Sequence, residues 1–347
     1  MNPFSRRDFL KLSSAQIALL NFYPQLLLAK ELTSDQDLLF LKPKDKDYQK
    51  FSPPFNQRIK TSPQLMAVCL NESGVQKAVQ HANQNKLKIA VKSGGHSFEG
   101  FSLNADGLVI DVSQMKNRTL DQNSFTAGPG LILSEVYDFL LPKGRILPAG
   151  SCGTVGLSGL TLGGGYGLFA RKWGLSCDHL TGLRMVDAQG EIHDSKDEPE
   201  LLWACRGGGN GNFGIITELR YDTQPAPKCL ARHRIKFRNL NPQRATALCR
   251  KWFRISKSLP NDAFSAFVLN GRHLSILITY FEEDSKAPIA KLAKLLAQGA
   301  HSVSPFAQEA LPKALTRYYG RKEPLHFKNV SAGFYNDFSD LKEGLEE

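Results

Sequence analysis

The sequence predicts an α+β protein built as two domains, and three observations predict it. A β-α-β pattern over residues 65–91 runs into a glycine turn, Ser93-Gly94-Gly95-His96-Ser97. Two further glycine clusters, 150–167 and 207–214, lie among short strands and helices. The chain has 347 residues, beyond the size at which a single hydrophobic core stops growing. Its 41% hydrophobic and 22% charged residues exclude disorder, collagen and coiled coil.

Each element follows from a local pattern. Residues 65–70, Leu-Met-Ala-Val-Cys-Leu, form a short apolar run bounded by Pro63 and Asn71, hence a buried strand. Ser73 precedes Val75, Ala78, Val79 and Ala82, whose spacing of three and four predicts an amphipathic helix capped by that serine. Leu87, Ile89 and Val91 alternate as the next strand, which ends in the 93–97 turn, where backbone N–H groups can hold a phosphate. Strands follow at 107–111 and 124–128. Ser134 opens a helix through Val136, Phe139 and Leu140 that Pro142-Lys143-Gly144 stops. Beyond Pro148 the chain is densest in glycine, and the third cluster, from Gly207 to Gly214, feeds an alternating strand over 215–221.

Three glycine clusters suggest one extended ligand touching several loops, and a dinucleotide has that reach. Gly209, Gly211 and Gly214 satisfy G-x-G-x-x-G literally. That motif works at the start of a helix, whose N-terminus receives the pyrophosphate, whereas Ile215-Ile216-Thr217-Glu218-Leu219-Arg220-Tyr221 reads as a strand. The match is accidental.

The six cysteines show no CxxC pair and no histidine at zinc spacing, so no metal site is expected. Cys69, Cys205 and Cys249 lie in apolar stretches and read as small buried hydrophobes. The formal charge of +11 is unevenly spread: +3 over residues 1–30, −1 over 31–225 and +9 over 226–347. Arg232, Arg234, Lys236 and Arg238 alternate, which predicts a strand with one basic face. A solvated face explains this row better than nucleic-acid binding, and attraction of an acidic sugar substrate is a further reading.

At the N-terminus, Ser5-Arg6-Arg7-Asp8-Phe9-Leu10-Lys11 fills every specified position of Ser/Thr-Arg-Arg-x-Phe-Leu-Lys. A moderately apolar stretch follows to Ala29, too short and too polar for a bilayer span. It resembles a bacterial twin-arginine signal, which implies the twin-arginine translocase as a partner, export to the periplasm or beyond, and a membrane tether if it stays uncut. Such export carries folded proteins and fits a cofactor inserted beforehand. Residues 30–55, rich in Lys, Asp and Pro, read as a solvated lead-in, with folded structure from about Asn56.

Val91-Lys92-Ser93-Gly94-Gly95-His96-Ser97-Phe98-Glu99-Gly100, Cys152-Gly-Thr-Val155-Gly156 through Gly163-Gly164-Gly165-Tyr166-Gly167, Arg171-Lys172-Trp173-Gly174-Leu175, and Leu202-Trp203-Ala204-Cys205-Arg206-Gly207-Gly208-Gly209 to Ile215 carry a family resemblance. They resemble, in order, the PCMH-type FAD-binding domain of the vanillyl-alcohol-oxidase superfamily, and within it the berberine-bridge-enzyme-like oxidases, which include carbohydrate oxidases. The resemblance implies a two-subdomain FAD-binding fold over 56–225 and a partial antiparallel-sheet substrate domain over 226–347. It implies covalent flavin through His96 at the 8α-methyl and, in bicovalent members, Cys152 at C6. Ser93, Gly94, Gly95 and Ser97 would contact the pyrophosphate; Gly156, Gly159, Gly163, Gly164 and Ile215 would line flavin and adenosine. Tyr166 would flank the ring, and Val155 matches a position that governs oxygen access.

Gly159-Leu160 replaces the Gly-Gly-His of many relatives. The family's catalytic base comes from a later segment that has no counterpart before Glu347, so the base is unassigned. Residues 327–331 resemble a strand in mid-substrate domain. The expected activity is hydride transfer from an alcohol or carbohydrate-type substrate to flavin, reoxidised by dioxygen. The alternative is a non-catalytic remnant or one half of a split oxidase.

Overall fold

The computed structural model describes residues 37–329 together with 338 and 339; the arginine-pair leader, Val330, Ser331 and the segment 340–347 lie outside the described residues. Order begins well before Asn56. Leu38–Leu41 (β1) pairs antiparallel with Leu65–Cys69 (β2), and Tyr48–Phe51 is a short helix whose Tyr48 hydroxyl donates to the Pro63 carbonyl at 2.6 Å. The polar surroundings concealed a four-residue apolar run that gains a partner only in the fold, so the solvated lead-in is corrected to an edge strand.

Lys88–Lys92 (β3) and Gly107–Asp111 (β4) complete the first sheet, ordered β1-β2-β4-β3, with β4 parallel to both β2 and β3. The crossover helix Glu72–Gln84 buries Val75, Ala78, Val79 and Ala82 against it. Its cap is Asn71, whose side-chain oxygen accepts from the Gly74 N–H at 2.9 Å. Ser73, the expected cap, instead donates to Asp37.

The second sheet is antiparallel. Arg118–Asp121 (β5) and Ser124–Ala127 (β6) lead, past Arg145–Ile146 (β7), to Leu180–Val186 (β8), Ile192–Asp194 (β9) and Ile215–Asp222 (β10), in the order β5-β6-β10-β8-β9. β10 starts directly at Ile215, so no helix follows the third glycine cluster. Helix Leu133–Leu140 buries Leu133, Val136, Tyr137 and Leu140 in the largest core, with Phe125, Leu183, Leu219 and Tyr221. Gln224–Pro225 (β11) pairs with β7 before the chain enters the third sheet.

That sheet holds Cys229–Phe237 (β12), Phe264–Asn270 (β13), His273–Tyr280 (β14), Ser302–Val303 (β15) and Ala307–Ala310 (β16), all antiparallel, with β15 and β16 sharing one edge of β12. Helices Pro242–Ser256 and Lys286–Leu296 cover one face, packing Leu248, Ile289 and Leu296 on Ala231, Ile235, Phe237, Ile276 and Ile278. The chain then returns to the first domain, where the Leu325 N–H donates to the Phe55 carbonyl at 2.9 Å. Residues 327–329, the described part of the strand expected over 327–331, form no strand, and a single parallel bridge between Leu325 and Asn56 lies just before them.

Candidate functional site

A cavity of about 780 Å³ is lined by residues of the first two sheets and by all three glycine clusters. The 93–97 turn and the end of β3 form one wall, residues 155–160 a second, and residues 186–188 with 210–216 a third. The first two walls meet backbone to backbone. A β-carbon on Gly94 would lie 2.4 Å from the Gly156 nitrogen, and one on Gly156 would lie 2.6 Å from the Gly94 nitrogen and from Ser93 Oγ. Only glycine at both positions allows this approach.

The polar groups of these walls are already committed in a definite way. The Ser93 and Ser158 hydroxyls both donate to the Pro129 carbonyl, at 2.7 and 3.0 Å, and Ser97 Oγ accepts from the Phe101 N–H at 3.0 Å. An anion at the turn would therefore be met by backbone N–H groups and by the Ser97 hydroxyl, which accepts from Phe101 and can still donate. A β-carbon on Gly159 or Gly211 would have nothing within 4 Å, so these walls are bare backbone facing open space. The length, the bare glycines and the apolar flank of Ile215 and Ile216 suit a dinucleotide such as FAD.

His96 is half-buried, with its Nε2 3.0 Å from Thr154 Oγ1 and its ring stacked on Phe55 at 4.0 Å between centroids. Burial pushes its imidazole down to about 4, so near neutral pH it carries a lone pair and no charge. Thr154 follows Cys152 by two residues, so this bond ties the histidine turn to the cysteine turn. Cys152 is a free thiol with an exposed surface, yet enough protein surrounds it that desolvation pushes the thiol above its ordinary value. A β-carbon on Gly320 would lie 3.9 Å from its sulfur, and the Gly153 N–H donates to the Tyr319 carbonyl at 3.0 Å.

Of the residues expected at the site, Ser93, Gly94, Gly95, His96, Ser97, Val155, Gly156, Gly159 and Ile215 line the cavity; Cys152, Gly163, Gly164 and Tyr166 do not. Gly163 is exposed and Gly164 turns the chain with φ +104°, which L side chains rarely adopt. Tyr166 is 74% exposed. Sequence reasoning missed Pro129, Ser158, Asp187 and Ala188, and it counted 210–214 as a glycine cluster without naming its residues as contacts. Asp187 directly follows β8 with no local signal. Its carboxylate accepts from the Gln189 and Glu191 N–H groups and pairs with His193 Nε2 at 3.2 Å. Asp187, Glu191 and His193 offer donor atoms within 4.8 Å of one another, but both His193 nitrogens are taken, by Asp187 and Glu198.

Residues 63–196 match the family model described as the FAD binding domain. Fold, cavity and match together make residues 63–196 a FAD-binding domain, similar to that of FAD-linked oxidoreductases and berberine bridge enzyme-like proteins. The chain is similar to the FAD-linked oxidoreductase YgaK of Bacillus subtilis (strain 168), 39% identical over 189 residues, covering 52% of this chain and 42% of that one. It is similar to berberine bridge enzyme-like 8 of Arabidopsis thaliana, 35% identical over 225 residues, covering 62% of this chain and 42% of that one. Among solved structures, the xylooligosaccharide oxidase of Myceliophthora thermophila C1 superposes with a TM-score of 0.73 at 25% identity, covering 83% of this chain and 62% of that one. The chain thus spans 42% of the length of these two curated relatives.

Proposed function

We propose that this chain is an exported FAD-dependent oxidase of alcohol or carbohydrate-type substrates that uses dioxygen as electron acceptor. The observation that carries it is the junction of two turns on one cavity, Gly94 against Gly156 and His96 against Thr154. When bound, FAD supplies a two-electron acceptor that takes a hydride from a carbinol carbon and passes the electrons to dioxygen as peroxide. The residues of the chain bind and orient it: backbone N–H groups of 93–97 toward the pyrophosphate, glycines 156 and 159 along its length, and Ile215 as apolar wall. Val155, which lines the cavity, is proposed as the residue whose size governs access of dioxygen.

His96 and Cys152 are proposed as covalent attachment points. Neutral His96 has the nucleophilic lone pair that bond requires, and Thr154 orients the ring. The carbohydrate class is supported by the name of the xylooligosaccharide oxidase, and the oxidase chemistry by the FAD-linked oxidoreductases to which the chain is similar.

The test is to purify the protein, record its visible spectrum, precipitate it in acid and follow peroxide with sugars and alcohols. Yellow colour retained on the polypeptide, lost in part in His96→Ala and in Cys152→Ala, and peroxide with a carbinol substrate are expected. Flavin wholly released by acid would overturn the attachment, and bound flavin without turnover would make the chain a flavin binder rather than an oxidase. Export is checked by fractionation, where Arg6→Lys with Arg7→Lys is expected to hold the protein in the cytoplasm.

A further inference from the structure

The third sheet has one face covered by helices and one face that carries a row of cations. In an antiparallel sheet, residues directly opposite share a face. Arg232 lies opposite Thr279, Arg234 opposite Leu277 and Lys236 opposite Ser275, while β13 adds Phe264, Ala266 and Val268 in the same rows. The other face holds Ala231, His233, Ile235 and Phe237, all buried. The cations therefore stand together, with Arg234 and Lys236 roughly 7 Å apart along the strand, close enough for two long side chains to share one anion.

Their partners are unequal. Arg232 lies 3.5 Å from Glu309, a carboxylate that also holds Arg317, and its Nε is buried without a hydrogen-bond partner. Among the described residues, Arg234 and Lys236 have no carboxylate in ion-pair range. The face also has a defined direction. Leu230 and Phe264, at one end of it, pack with the core of the second sheet. Tyr318 is half-buried within the electrostatic reach of Arg232 and Arg234, the next residue lays its ring on Gly153, and Gly320 stands beside Cys152. Tyr318, Tyr319 and Gly320 thus connect the Arg232 end of the row to the cysteine turn.

We propose that this row is a specificity element that receives a carboxylate of the substrate on Arg234 and Lys236, so that the substrate class is an acidic sugar or a related hydroxy acid. The inference rests on the oxidase reading and narrows it. A bidentate guanidinium contact fixes both position and orientation of a carboxylate, which would hold a neighbouring carbinol carbon toward the cysteine turn.

The probe is a disaccharide ending in glucuronate, compared with its neutral methyl ester, by calorimetric titration of the full chain as isolated. The acid is expected to bind at least about tenfold tighter than the ester, and Arg234→Gln and Lys236→Gln are each expected to lose about tenfold in affinity for the acid while leaving the ester unaffected. Rising salt should weaken the acid alone. Equal binding of acid and ester, no binding of either, or an unchanged Arg234→Gln affinity would overturn the proposal, as would duplex DNA binding as tightly as the acid. Flavin spectrum and peroxide release report separately on the oxidase reading: selective binding of the acid without peroxide removes that reading and keeps a carboxylate site, whereas peroxide from neutral sugars without discrimination does the reverse.

Discussion

Two glycines three residues apart should respond in opposite ways to the same methyl group. In Gly156→Ala the new β-carbon would sit 2.6 Å from the Gly94 nitrogen and from Ser93 Oγ, about an ångström inside ordinary contact. The nitrogen belongs to backbone, so the two turns must separate. Overpacking of this kind costs roughly 1–3 kcal/mol, and the rigidity of the obstacle places this case at the upper end. For a domain of this size that is a fall in Tm of about 2–4 °C per kcal/mol. In Gly159→Ala the β-carbon meets nothing within 4 Å, and the residue lies inside helix Leu157–Leu162. There alanine gains about 0.5–1 kcal/mol over glycine, so the protein without flavin should melt at the same temperature or slightly higher. The methyl would nevertheless project into the cavity that Gly159 lines. Flavin content per chain, read from the visible spectrum, should then fall in both variants, with Tm falling only in Gly156→Ala. A Gly159→Ala protein that loads flavin like the parent would refute the placement of the cofactor along this helix.

The remaining predictions concern protons, a hydroxyl and a buried carboxylate. His96 titrates near 6.5 when unfolded and is pushed down to about 4 when folded, so the unfolded chain takes up a proton first; stability is full above about pH 6.5 and drains as pH falls toward 4. Melts of flavin-free protein across that window should show a shallower loss in His96→Asn; an unchanged profile would deny the burial. Some slope should persist, because burial also lowers His233. Thr154→Val keeps the shape and removes the hydroxyl that meets His96, so acid-stable flavin should drop while Tm holds within about 2 °C. Asp262 is buried and accepts from the Phe281 and Glu282 N–H groups and the Ser285 hydroxyl, so Asp262→Ala should destabilise the third sheet by roughly 2–3 kcal/mol in urea unfolding, with partial rescue by asparagine.

Much of the site was legible because glycine leaves a local mark. The 93–97 turn, the 150–167 cluster and the strand over 215–221 could be read from composition and period alone, and His96 stood out inside its turn. Tyr166 shows the limit of that reading: the local pattern marks an aromatic after three glycines, and only the fold shows that its ring is exposed and not part of the core. β1 shows the same limit in the opposite sense, since four apolar residues among lysines and aspartates form a strand only because β2 offers an edge, and of the four Leu41 alone is buried.

The sequence by itself determined which segments extend, which coil and where the backbone turns sharply, since those depend on neighbours along the chain. Tertiary structure alone decided that Gly94 lies on Gly156, that one Pro129 carbonyl takes two serine hydroxyls, that Asp187 reaches the cavity, and that Tyr319 and Gly320 stand against the cysteine turn. These are contacts between residues tens to hundreds of positions apart. They depend on sheet order and register, which no local pattern specifies, and so the chemistry of the walls emerged only when the sheets were packed together.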